Sequence, residues 1–158
     1  MATITGRART ATGAGTLAAF LLVLAFGNQA YADWAAKQNA HDTGGLFLKT
    51  LAWPQWRFSP EASVRDFFAT DLRAILLIVF TMLLLRVMVP SGFTSNGFFS
   101  SWGAYMLAGA FAALVARFLG EHPTLLSAIS DSFSGAAYGL MTGWIVGIAT
   151  ATSKAAVA

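Results

Sequence analysis

The chain has 158 residues, of which 56% are hydrophobic and only 11% charged, with a net charge of +3 and a mean hydropathy of +0.62. A soluble domain carries about 25% charged residues, so polar side chains are too few here to cover a water-soluble globule. The absence of cysteine excludes disulfide-braced loops, thiol chemistry and cysteine metal sites. The basic residues are scattered, which argues against a nucleic-acid surface.

Residues 1–12 are polar, with Arg7 and Arg9 and no acid. The apolar segment that follows has two readings. One is a first transmembrane helix over about 14–32, close to the roughly 20 residues a span needs. The other is a secretory signal peptide with Leu17–Phe26 as its apolar centre and Ala30-Tyr31-Ala32 as the cleavage site, which would leave three spans instead of four.

Residues 33–70 form the one long polar stretch, with mixed charge and Trp34, Trp53 and Trp56 among its aromatics. An indole is apolar in body and polar at its N–H, so such a loop suits the membrane surface or a partner's surface. Gly44-Gly45 is expected to break any helix there. Ser59-Pro60-Glu61 reads as a helix start, with serine as N-cap and proline in the first turn. Val64, Phe67, Phe68, Leu72 and Ile75 then recur at helical spacing, which predicts a short amphipathic interfacial helix that either lies flat or runs on into the next span.

That second span is predicted over 72–89, with Arg86 near its end as a snorkelling anchor. Residues 91–99 read as an uncharged turn. The third span is predicted over 100–119. Ala104, Ala108, Ala112 and Ala116 form a ladder of small residues along it, and Arg117 stands four residues before Glu121 as a possible ion pair. The fourth span, 132–151, carries glycine at every fourth position: Gly135, Gly139, Gly143 and Gly147. Residues four apart stack on nearly one helix face. In hydrocarbon, where apolar burial is not rewarded, close packing on small residues holds helices together. The two ladders lie on consecutive helices and are expected to face each other. The alternative is that the glycine face meets another chain.

The fold class expected is therefore an all-α integral membrane bundle of four spans, forming a single domain over 1–158 with an external loop over 33–70. Placing the N- and C-termini in the cytoplasm puts Arg7, Arg9, Arg86 and Lys154 inside, and all seven acids outside. The positive-inside rule counts Lys and Arg alone and is not cleanly obeyed, because the 33–70 loop also carries several.

No catalytic, metal or cofactor site is readable. The predicted span interiors show no Asp, Glu, His or Lys, Arg117 stands near a span end like Arg86, and His41 and His122 fall in loops. Phosphate-loop, nucleophile-elbow, dinucleotide and zincin motifs are missing. Small multidrug transporters carry an acid in their first span and tetraspanin-like proteins carry loop disulfides; this chain has neither. In general type it resembles the accessory subunits found around bacterial respiratory and transport complexes, with no motif carrying the likeness. The expected role is that of a non-catalytic accessory subunit or assembly factor in the plasma membrane, binding lipids and other integral subunits. The alternative is a small homo-oligomeric transporter or channel. A reporter active only in the cytoplasm, fused after residue 95, is expected to be active; silence there reverses the orientation.

Overall fold

The computed structural model describes the backbone of residues 2–38, 41–56, 64–89, 97–120 and 122–155. Within that it describes the side chains of 11–38, 41–56, 71–89, 97–120 and 122–153. The described residues form six helices: α1 (Ala2–Phe26), α2 (Gln29–Ala36), α3 (Thr43–Leu51), α4 (Val64–Met88), α5 (Gly97–Leu119) and α6 (Leu125–Ala155). There is no strand among the described residues. The four long helices form a closed ring, in which α5 touches α4 and α6, and α1 touches the same two from the other side. The short helices α2 and α3 sit together at one end, with α3 against α6.

Several boundaries differ from the expected ones for identifiable reasons. The helix expected over 14–32 is not straight: it is two pieces, α1 and α2, bent by 61°. Gly27 sits at the break, where a Cβ would come within 2.5 Å of the Val23 carbonyl and 2.6 Å of the Pro54 carbonyl. Asn28 follows as N-cap of α2, its Oδ1 accepting from the Tyr31 N–H at 2.9 Å. The stretch 33–70 holds helix as well as loop. Gly44 and Gly45 lie inside α3, in its first turn, where the backbone N–H groups have no intrahelical partner in any case and a glycine disrupts least.

The start at Ser59-Pro60-Glu61 lies outside the described residues, as do 91–96 of the turn expected over 91–99 and Glu121, the expected partner of Arg117; residues 97–99 belong to α5. From Val64 the fourth helix runs on unbroken. The last helix begins at Leu125 instead of 132. Thr124 and Ser127 explain this by capping reciprocally: the Ser127 N–H donates to Thr124 Oγ1 at 3.1 Å, and the Thr124 N–H donates to Ser127 Oγ at 3.2 Å.

The interior is small and hydroxyl-bearing. Ala104, Ala108 and Ala112 are buried in one cluster with Leu77 and Leu85 of α4, and Ala116 is buried below them. Thr81, Thr142 and Thr150 are buried too. Each hydroxyl donates to the carbonyl four residues back, Leu77, Tyr138 and Val146 respectively, so these three buried hydroxyls are satisfied within their own helices. Many large apolar side chains point outward: Leu17 and Leu21 on α1, Ile75 and Val87 on α4, Phe99 and Phe118 on α5, Leu126 and Phe133 on α6. The most exposed are Leu126 at 79% and Val87 at 78%.

By length and composition, α5 is apolar enough to cross a membrane, and the bent pair α1–α2 joins it if counted as one span. In α4 the uncharged run is only 74–85, between Arg73 and Arg86. In α6, glycine, serine and threonine dilute the hydropathy.

The glycines of α6 lie along α5. A Cβ on Gly135 would collide with the backbone of Gly109, and one on Gly109 with that of Gly135. A Cβ on Gly139 would sit 2.5 Å from Met106 Cα, one on Gly143 2.5 Å from Trp102 Cδ1, and one on Gly147 2.8 Å from Phe98 Cδ2. The stripe they meet is thus Phe98, Trp102, Tyr105–Met106 and Gly109, beside the alanine ladder. A ladder of four-residue steps drifts by about 40° per step on a helix of 3.6 residues per turn, which carries Ala104 and Ala108 round toward α4. Gly139→Leu is expected to lower stability in detergent by about 2–3 kcal/mol through forced separation of the helices. Gly103→Ala, at a position with open space around it, is expected to be neutral or stabilising by up to about 1 kcal/mol. Thermal unfolding of the two variants checks the contrast.

Candidate functional site

Where α2 and α3 close over the end of the bundle, an open cavity of about 630 Å³ remains. Two helices each give it a triplet at i, i+3 and i+4, the spacing that puts residues on one face, and a third gives it a pair at i and i+3. These are Ala32, Ala35 and Ala36 from α2; Leu46, Lys49 and Thr50 from α3; and Ser134 and Ala137 from α6, with Tyr138 of the same face lying behind them. Arg73 of α4 and the turn residues Ala52, Trp53 and Gln55 complete the lining.

From this cavity a column of side chains runs into the bundle. Arg73 places its guanidinium 4.8 Å over the Trp53 ring. Trp53 stacks on Tyr138 at 5.1 Å and 23°. The Tyr105 hydroxyl donates to the Tyr138 hydroxyl at 3.2 Å, and both tyrosines are fully buried. Gly135 makes the stack possible, since a Cβ there would sit 3.0 Å from Trp53 Cζ2. Arg73 Nε is sealed from solvent with no hydrogen-bond partner among the described residues. Asp131 is the carboxylate near enough to act on the Arg73 charge.

The other expected contact residues lie apart from this column. Trp34 is 47% exposed on α2 and tilts against Tyr31 at 5.6 Å. Trp56 donates its backbone N–H to the Gly27 carbonyl at 2.8 Å and its indole N–H to the Val23 carbonyl at 3.4 Å, so it braces the bend. Arg86 is exposed in the last turn of α4. Arg117 Nε donates to Ser127 Oγ at 3.0 Å and lies 3.8 Å from Asp131, across the α5–α6 turn. His41 and His122 are both exposed, and among the described residues no group of three His, Asp or Glu side chains is placed to hold a metal ion.

The chain matches no protein-family model, no curated protein and no solved structure. Its chemistry therefore has to be read from the geometry alone. The cavity offers two cations, Lys49 and Arg73, with hydroxyl and amide groups from Thr50, Ser134 and Gln55, and no acid among its lining residues. Such a set binds and orients; it holds no nucleophile paired with a base.

Sequence reasoning missed Arg73, Tyr105 and Tyr138. The signal for Arg73 was its position one residue inside a predicted span, where an ionisable group marks a functional site by default. A double-mutant cycle of Trp53→Leu and Arg73→Gln, read by thermal unfolding, is expected to give a coupling of about 1 kcal/mol, as for a partly desolvated cation over an indole.

Proposed function

We propose that the chain is an integral membrane protein of four spans whose role is binding rather than catalysis. It serves as an accessory subunit or assembly and stability factor of a larger bacterial membrane complex of respiratory or transport type. The observation that carries this reading is the inverted side-chain distribution. All four long helices expose leucine, isoleucine, valine or phenylalanine on their outer faces, and the buried interior is made largely of alanine, glycine and threonine around a few larger residues such as Leu22, Leu77, Leu85 and Val146. A monomer in water rarely leaves apolar patches of that extent uncovered, whereas lipid and neighbouring spans cover them without cost.

The charges support the same reading. In α6 the stretch 132–153 between Asp131 and Lys154 is uncharged, and at 1.5 Å per residue it reaches over about 30 Å, the thickness of a hydrocarbon core. In the orientation proposed, both termini are cytoplasmic, and α2 and α3 lie at the outer surface with Trp34 exposed for partner or headgroup contact. Because α5 covers the glycine face of α6, neighbouring subunits are met by the outward faces of leucine and phenylalanine. Self-association into a transporter or channel would have to use those same faces, which leaves the accessory reading the better supported. Gentle detergent extraction followed by mass spectrometry is expected to recover the protein with other integral membrane subunits. Recovery as a lone monomer overturns the accessory role.

A further inference from the structure

We infer that the cavity bounded by α2, α3, α4 and α6 is a binding site for a phosphate-bearing anion, with Lys49 and Arg73 as its cationic ligands. Both cations reach the same open cavity of about 630 Å³, and among the described residues that line it there is no carboxylate. A site for a cation or a neutral solute has no use for such an arrangement.

Arg73 is not a loose surface charge. Its guanidinium is held against the Trp53 ring at 4.8 Å, and that ring is fixed in turn on Tyr138. A planar guanidinium fixed in this way presents its remaining N–H groups in a set direction, which is what bidentate recognition of phosphate requires. Its Nε is closed off from solvent with no partner among the described residues, so an anion in the cavity meets the guanidinium through its other N–H groups. Asp131 acts on the Arg73 charge but is not part of the cavity wall; it is also drawn to Arg117 at 3.8 Å. Lys49 adds a point charge from the last turn of α3. Thr50, Gln55 and Ser134 supply neutral hydrogen-bonding groups around the two cations.

The rest of the wall is apolar and low: Ala32, Ala35, Ala36 and Ala137, with the exposed Leu46 at the mouth. An anionic headgroup whose attached chain leaves along that alanine floor fits this shape, and so does a free phosphate. The choice of lipid as source rests on the bilayer reading above, whereas the anion site itself does not.

Isothermal titration calorimetry of the full chain in a zwitterionic detergent distinguishes the sources. The ligands are dihexanoyl phosphatidylglycerol, dihexanoyl phosphatidylcholine and inorganic phosphate. The anionic lipid is expected to bind measurably more tightly than the zwitterionic one. Lys49→Gln and Arg73→Gln are each expected to weaken its binding by about ten-fold or more, as for loss of one charge-assisted contact. Binding of inorganic phosphate with the same dependence on Lys49 assigns the site to a free anion, and binding of the lipid alone assigns it to a headgroup. Where Arg73→Gln fails to fold, Lys49→Gln on the short outer helix carries the test by itself. Equal binding of the two lipids together with no phosphate binding, or anion binding unchanged in Lys49→Gln, overturns the site. Recovery of the chain as a lone monomer would sink the accessory role and leave this titration untouched.

Discussion

The contact between Gly109 and Gly135 governs the rest of the bundle. Neither position has room for a Cβ, because each would strike the other's backbone. Two helices this close share dispersion contacts along their length. Further along the same seam, Gly139, Gly143 and Gly147 admit Met106, Trp102 and Phe98. The Trp102 indole N–H donates to the Leu140 carbonyl of α6 at 2.9 Å, which fixes the two helices in register. With that register set, Tyr105 and Tyr138 fall opposite one another, and Trp53 can lie on Tyr138 in the space Gly135 leaves. The position of Arg73 follows from that of Trp53. A cation at the end of the bundle thus depends on two missing side chains.

On the bilayer reading proposed above, the interior solves a different problem from that of a soluble core. Burial of leucine against leucine would gain nothing in hydrocarbon, and fit between backbones would discriminate the native packing. The buried Thr81, Thr142 and Thr150 each close a hydrogen bond onto their own helix.

How far the sequence could be read depended on whether a signal is local. The glycine spacing of α6 is a direct geometric statement about one face of one helix, and it locates the seam with α5. What stands opposite could not be read the same way: the alanine ladder drifts round α5, and the stripe that meets the glycines mixes Phe98, Trp102 and Gly109 in no recognisable motif. Gly44-Gly45 misled because a glycine's penalty depends on where in a helix it falls, and a helix start needs the tertiary setting of α3 on α6 to be recognised. The Thr124–Ser127 cap was legible in principle; the early start of α6 hides behind a run of serines that lowers its hydropathy. The column draws on the turn after α3 and on α4, α5 and α6 together, so no single window contains it. Trp53 was readable as an interfacial aromatic, and Arg73 had a cue in its place one residue inside a predicted span.

The bend between α1 and α2 has a consequence for how that end of the molecule moves. Asn28 uses its amide nitrogen to hold the Ala25 and Leu24 carbonyls at 2.8 and 3.2 Å, and its amide oxygen to receive the Tyr31 N–H. One side chain therefore stoppers the helix behind it and opens the one ahead. Trp56 clasps the same joint through Gly27 and Val23. With the Val23, Leu24, Ala25 and Gly27 carbonyls each holding a partner, the elbow is braced at its present angle from both sides, and the wall that α2 lends the cavity is braced with it.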